Sequence, residues 1–205
     1  KTCPHLNPTT FLPEETEEPE HDCEQVVVQT YAAREDLRDT PLQNPGWTLF
    51  IDGSSFVEQG VCKAGYAVIT LNGVFKVHPS LQAQAQLAEL IALIRALELR
   101  KGTVANIYTA SKNAFLVLYA YAAIWKEKHF LTANGSPIKY HQEINRLLSS
   151  VFLPQGVAAM HCKGHQKGTD EVAEGNMLAH QTAKSVARKP QGTTHLKPLE
   201  FGKAP

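Results

Sequence analysis

The chain has few cysteines, no long apolar run and no net charge, and each shortage excludes something. Its four cysteines, Cys3, Cys23, Cys62 and Cys162, form no Cys-x-x-Cys pair and no close-spaced framework among 205 residues. Neither a zinc ribbon nor a disulfide scaffold is indicated, and a reduced, intracellular setting, cytoplasm or nucleus, is the expectation. No stretch approaches the roughly 20 apolar residues of a membrane-spanning helix, so no membrane contact is expected from this segment. The opening Lys1-Thr2-Cys3-Pro4-His5 lacks the apolar core and cleavage site of a signal peptide. With no initiator Met it reads as a piece of something longer.

The absence of net charge conceals a split. The 20 acids and 20 bases cancel, but residues 1–24 hold seven acids and one base, leaving 13 acids and 19 bases, a charge of +6, on the remainder. A mildly basic body is compatible with phosphate backbones. A solvated surface explains the same balance.

What is present is apolar matter for one core, 43 % of residues, flanked by segments that cannot build one. Residues 1–45 carry Pro4, Pro8, Pro13, Pro19, Pro41, Pro45 and the acid run from Glu14 to Glu20, and read as a linker or tether. A short strand at Gln25–Gln29 is the exception. Residues 191–205 read as a flexible tail, which leaves 46–190 as the domain.

Within it, Trp47–Ile51 reads as a strand ending at Asp52 and the turn residues Gly53-Ser54-Ser55. Gly65–Leu71 and Val74–His78 form a hairpin across Asn72-Gly73. Gln82–Arg100 repeats Leu87, Leu90, Ile91, Ile94 and Leu97 at helical spacing, with Gly102 as a C-terminal cap. A strand at Val104–Thr109 precedes a helix capped by Ser111 and running to about Trp125. Ser136-Pro137 opens another, to about Ser150. Val157–Cys162 is the last strand and Val172–Arg188 the last helix. Hairpin strands followed by alternating helices and strands imply a mixed sheet with helices packed on it.

Asp52 lies at the middle or end of the first strand, and Glu89, within the otherwise apolar run Gln86–Leu93, is either exposed at a rim or held there for a purpose, because burying an acid unpaired is costly. The segments Phe50-Ile51-Asp52-Gly53-Ser54-Ser55, Lys63-Ala64-Gly65, Ala88-Glu89-Leu90-Ile91-Ala92-Leu93, Tyr108-Thr109-Ala110-Ser111, Phe152-Leu153-Pro154, His161-Cys162, Gly164-His165-Gln166-Lys167-Gly168 and Gly175-Asn176 occur in order. Together they resemble the ribonuclease H domain of gammaretroviral polymerases, from about Gly46 to Arg188. His21-Asp22-Cys23 and Arg34-Glu35-Asp36-Leu37 are similar to the tether that joins that domain to reverse transcriptase.

The resemblance implies an α/β ribonuclease H-like fold, with a five-stranded mixed sheet and helices on both faces. It also implies a site in which four acids hold two divalent ions that cleave the RNA strand of RNA–DNA hybrids. Here Asp52 and Glu89 match two of those acids, while Ala110 and His180 stand where the other two belong. Ala110 has no ligand atom, and an imidazole suits Zn²⁺ or Mn²⁺ better than Mg²⁺. Two carboxylates cannot neutralise two divalent ions, so at most one weakly held Mg²⁺ or Mn²⁺ at Asp52 and Glu89 is expected, no cofactor is required, and hybrid cleavage is expected to be lost. Asp170, Glu171 and Glu174 are the nearest substitutes, but none shares a clean helical face with His180, whereas Asn176 does. His165 matches the family's mobile loop histidine and reads as vestigial. A zinc site from His161, Cys162 and His165 lacks the usual ligand spacing.

Lys112, Lys126, Lys128, Lys163 and Lys167 are the candidate nucleic-acid contacts, and Tyr119, Tyr121 and Trp125 read as packing rather than a stacking platform. The expected function is an inactive ribonuclease H-like module of a larger, domesticated endogenous-retroviral protein. Its partners would be RNA–DNA hybrid or another nucleic acid, weakly held, and the other domains of the parent protein. The alternatives are a residual metal-dependent nuclease on Asp52 and Glu89, and an interaction scaffold that binds no nucleic acid.

Overall fold

The computed structural model describes residues 33–81, 83–164, 168 and 170–188, with 74–81 described by their backbone. The strand considered at Gln25–Gln29, the tail 191–205, His165 and Lys167 lie outside the described residues. Elements follow the order β1 (Trp47–Glu58), β2 (Val61–Thr70), β3 (Gly73–Leu81), α1 (Ala85–Leu99), β4 (Val104–Thr109), α2 (Lys112–Leu116), a π-helical turn (Val117–Tyr121), α3 (Ala122–Glu127), α4 (His141–Ser150), β5 (Gly156–His161) and α5 (Glu171–Ala187).

The five strands form one mixed sheet in the order β3-β2-β1-β4-β5. The first three are an antiparallel meander, and β4 and β5 run parallel to β1. Alternation along β1 assigns each side chain a face. Leu49 and Ile51 belong to a large core with α1, α4 and the π-turn, whereas Phe50 packs with Ala179 and Ala183 of α5. Helices therefore cover both faces, as the resemblance implies.

Three local expectations are corrected. Gly53-Ser54-Ser55 do not end β1; the strand continues to Glu58 because β2 pairs with it throughout, from Phe50↔Ile69 to Glu58↔Val61. The helix expected from Ser111 to Trp125 is broken by the π-turn, which turns Tyr119 inward, 2 % exposed, and leaves Tyr121 at the surface, stacked on Trp125 at 5.4 Å. Tyr119 is core and Trp125 packs partly buried against it, so of that trio only Tyr121 is exposed. The helix expected from Pro137 starts instead at His141, because Pro137 bridges Leu131, the Ile138 N–H donates to Phe130 O, and Tyr140 adopts a left-handed φ of 63°.

Candidate functional site

Parallel pairing of β1 with β4 stops at Ile51↔Thr109. Asp52 and Ala110 are the next residues on the two strands, so they flank the point where the sheet opens. Such carboxyl ends of parallel strands are where open α/β sheets hold their ligands. β5 ends in the same layer, at Thr109↔His161, and the Cys162 N–H donates to Thr109 O.

Asp52 lies on the same strand face as Phe50, two residues earlier, and so turns toward α5. Gly175 lets that helix come close: a Cβ there would lie 2.4 Å from the Phe50 ring. Just over one turn further along α5, His180 meets the carboxylate, with Nδ1 2.8 Å from Asp52 Oδ2. Asp52 is 6 % exposed, so this imidazole faces a carboxylate largely withdrawn from water.

Glu89 arrives from the other face. Its backbone crosses Gly53 so closely that a Cβ on Gly53 would fall 2.3 Å from Glu89 N. The Glu89 carboxylate accepts a hydrogen bond from Ser111 Oγ at 2.5 Å, and Ser111 Oγ accepts from the Ala114 N–H at 3.1 Å as the cap of α2. Burial pushes the Glu89 carboxyl above its usual range; the Ser111 hydrogen bond opposes that rise, and the nearby negative Asp52 adds to it.

The four positions singled out in the sequence, Asp52, Glu89, Ala110 and His180, thus converge. Ala110 contributes a methyl group, half-buried, and a Cβ built on Gly164 of the loop after β5 would meet it at 3.9 Å, ordinary van der Waals distance. Lys163 is exposed, and its carbonyl accepts from Asn176 Nδ2 at 3.4 Å, which ties the same loop to α5. Lys112 is exposed at the start of α2, one residue from Ser111. Lys126 and Lys128 are exposed at the end of α3, on a different element that packs against α4.

One contact was not visible in the sequence. Ser111 read as a helix cap, and its second bond, to Glu89, depends on a contact 22 residues away. Cys162 sits close enough for Asp52 to act on it, and burial chiefly pushes its thiol up to about 11, so it is a poor nucleophile near neutral pH.

The donor set does not fit a two-ion site. One Asp52 oxygen is bound by His180, one Glu89 oxygen by Ser111, and position 110 offers no donor. Among the described residues, no group of three or more His, Cys, Asp or Glu side chains is arranged to hold a metal ion, Asp170, Glu171 and Glu174 included.

The family described as RNase H matches residues 44–188. The chain belongs to the ribonuclease H family. It is 43 % identical over 201 residues to the Gag-Pol polyprotein of baboon endogenous virus (strain M7), covering 93 % of this chain and 12 % of that protein. It is 45 % identical over 190 residues to the Gag-Pol polyprotein of avian reticuloendotheliosis virus, covering 92 % of this chain and 16 % of that protein. It therefore spans less than a fifth of either polyprotein, and its likeness is to their ribonuclease H region. Among solved structures, the foamy virus ribonuclease H domain in solution matches 68 % of this chain and 93 % of its own length at TM-score 0.54 and 21 % identity. A foamy viral protease–reverse transcriptase in complex with RNA/DNA hybrid matches 91 % of this chain and 24 % of its own at TM-score 0.57 and 16 % identity. At such identities the shared property is the fold.

Proposed function

We propose that this ribonuclease H domain has lost two-ion hydrolysis and is retained as a non-cleaving module of a larger retroelement-derived protein, with a weak, metal-independent hold on nucleic acid. The observation that carries the reading is the His180–Asp52 contact. A two-ion site would be held by several hard oxygen donors, mostly carboxylates, whose negative charge would offset that of the ions. An imidazole faces Asp52 here, and the methyl of Ala110 supplies no donor. Neither change disturbs the fold, because position 110 is only half-buried and His180 has kept a polar partner.

Nucleic-acid contact is supported by the exposed Lys112 and Lys163 beside the site, by Lys126 and Lys128 on α3, and by a foamy viral relative in fold captured on an RNA/DNA hybrid. Lys167 belongs to the same set by sequence. Phosphate contacts of this kind do not require the metal site.

The deciding assay incubates the chain with a labelled RNA–DNA hybrid in Mg²⁺ and in Mn²⁺, beside the double substitution Ala110→Asp, His180→Asp. The expected result is no cutting by the unmodified chain and measurable cutting by the double variant. Cutting by the unmodified chain that disappears in Asp52→Ala would establish a residual nuclease instead. A binding titration of the same hybrid across salt separates the remaining readings: affinity should fall with added salt and persist in a chelator. No binding at low ionic strength would leave an interaction scaffold.

A further inference from the structure

The stretch just before the RNase H match has the composition of a spacer, yet part of it is bound to the domain at both ends. We propose that residues 33–42 are an intramolecular strap, a short extra segment of the sheet that closes the β5 edge and fixes the upstream chain to the domain body. β5 is the last strand of the sheet, and its outer edge would otherwise present unpaired N–H and C=O groups. Arg38 lies parallel beside Ala158: its N–H donates to Val157 O at 3.4 Å, and the Ala159 N–H donates to Arg38 O at 2.9 Å.

Side chains secure this pairing from three directions. The Arg34 guanidinium donates to the carbonyls of Val151 (3.1 Å), Pro154 (2.8 Å) and Gln155 (2.8 Å), the turn that feeds β5. Asp36 binds the opposite side of the guanidinium, and that interaction holds its carboxyl below the usual range. A planar fork spread over three carbonyls is a geometry that Lys cannot reproduce. At the far end, Asn106 reads the strap's backbone in both directions, accepting from the Leu42 N–H at 2.9 Å and donating to Leu42 O at 3.2 Å. Between the anchors, Leu37 is buried, and the Tyr119 hydroxyl lies between the carbonyls of Arg38 and Ala159.

The π-turn thereby acquires a reason. It turns Tyr119 toward the junction of strap and β5, a single-turn irregularity of the kind that marks functional positions. The strap also changes what the upstream chain can do. Its first residue, Ala33, donates its N–H to Leu118 O at 3.4 Å, so the point at which the upstream chain joins the domain is set by the domain body.

The test uses the full chain and hydrogen exchange at the Arg38 and Ala159 amides, with an Ala67 amide in the central strand β2 as reference. Protection of both amides is expected, and Arg34→Ala should accelerate their exchange by about tenfold while leaving Ala67 unchanged. Tyr119→Phe should act in the same direction by removing only the hydroxyl. If the Tyr119 variant does not fold, the half-buried Arg34 still carries the test. Exchange of Arg38 and Ala159 at the rate of an unstructured peptide, or strap protection unaltered in Arg34→Ala, would overturn the proposal.

Discussion

His180 Nδ1 stands 2.8 Å from Asp52 Oδ2, a helix residue bound to a strand residue 128 positions earlier. With Asp52 ionised, its oxygen can only accept and the imidazole would donate from Nδ1. The pair puts a protein group where the resemblance calls for an ion-binding acid. On the proposed reading the site is closed internally as well as short of ligands, and Asp52 is satisfied without a divalent ion.

That closure predicts an altered response to metal. His180→Asp would set a second carboxylate against Asp52, with Glu89 close by, and like charges at that separation destabilise. Without divalent ions its melting temperature should fall below that of the unmodified chain. The double variant Ala110→Asp, His180→Asp should regain several degrees on addition of Mg²⁺ or Mn²⁺, since a ligand at about 100 times its Kd contributes about 2.7 kcal/mol. The unmodified chain should melt at the same temperature with metal and with chelator. Differential scanning calorimetry of the three proteins reads this directly.

Glu89 gives a pH dependence of defined sign. Its carboxyl is raised in the folded chain, chiefly by burial. A raised acid binds its proton more tightly folded than unfolded, so its favourable contribution is complete below the ordinary value of 4.5 and is lost as pH rises through the folded value. Glu89→Gln removes that loss while its amide oxygen still accepts from Ser111. The variant should be more stable than the parent at pH 7, and its advantage should shrink as pH falls toward 4.5. Thermal melts of both proteins across that interval check it; a constant difference would show that burial of Glu89 is not the cause.

Ser111 joins the two halves of the site, and its loss should be felt twice. Ser111→Ala removes the cap that accepts from the Ala114 N–H, which costs about 1 kcal/mol. It also removes the hydrogen bond that holds the Glu89 carboxyl down, so the Glu89 titration should move further up. Chemical denaturation measures the first effect, and carboxyl-carbon NMR of Glu89 the second. Glycine at 111 should restore most of the capping but none of the titration shift.

Much of this arrangement was legible because it rests on short-range pattern. The boundaries of β4 and the body of α1 follow from local periodicity, while the convergence of Asp52 with position 110 was implied by the resemblance and lies where the parallel pairing of β1 with β4 stops. The unread parts depend on contacts across the fold. Nothing in Ala114–Trp125 breaks a helix, since no Gly or Pro lies there; the π-turn is associated with Tyr119, whose hydroxyl reaches carbonyls 40 and 81 positions away. Arg34 and Asp36 sit in a proline-rich stretch whose composition says linker, and only the turn before β5 makes them an anchor. The Gly-Ser-Ser after Asp52 has the chemistry of a turn and the position of a strand.

Gly53 shows why that last reading failed, and it gives the sharpest prediction. A glycine stands in the middle of β1 because α1 crosses it almost in contact: a Cβ would lie 2.3 Å from Glu89 N, 2.7 Å from the Ala88 carbonyl carbon and 2.9 Å from Glu89 Cα. All three obstacles are backbone, and the helix residues beside them, Ala88, Leu90, Ala92 and Leu93, are buried, so α1 cannot yield without unpacking its core face. Gly53→Ala should cost about 3 kcal/mol or more, against the usual gain from replacing a flexible glycine. Because the helix that must move carries Glu89, the same substitution should loosen the Ser111–Glu89 bond and let the Glu89 titration drift. Gly60→Ala is the matched control, since nothing lies within 4 Å of its Cβ and only its φ of +77° resists the side chain. A loss at Gly53 no larger than that at Gly60 would mean that the crossing of α1 over β1 is slack, and that Glu89 is not held beside Asp52 by the packing of the helix.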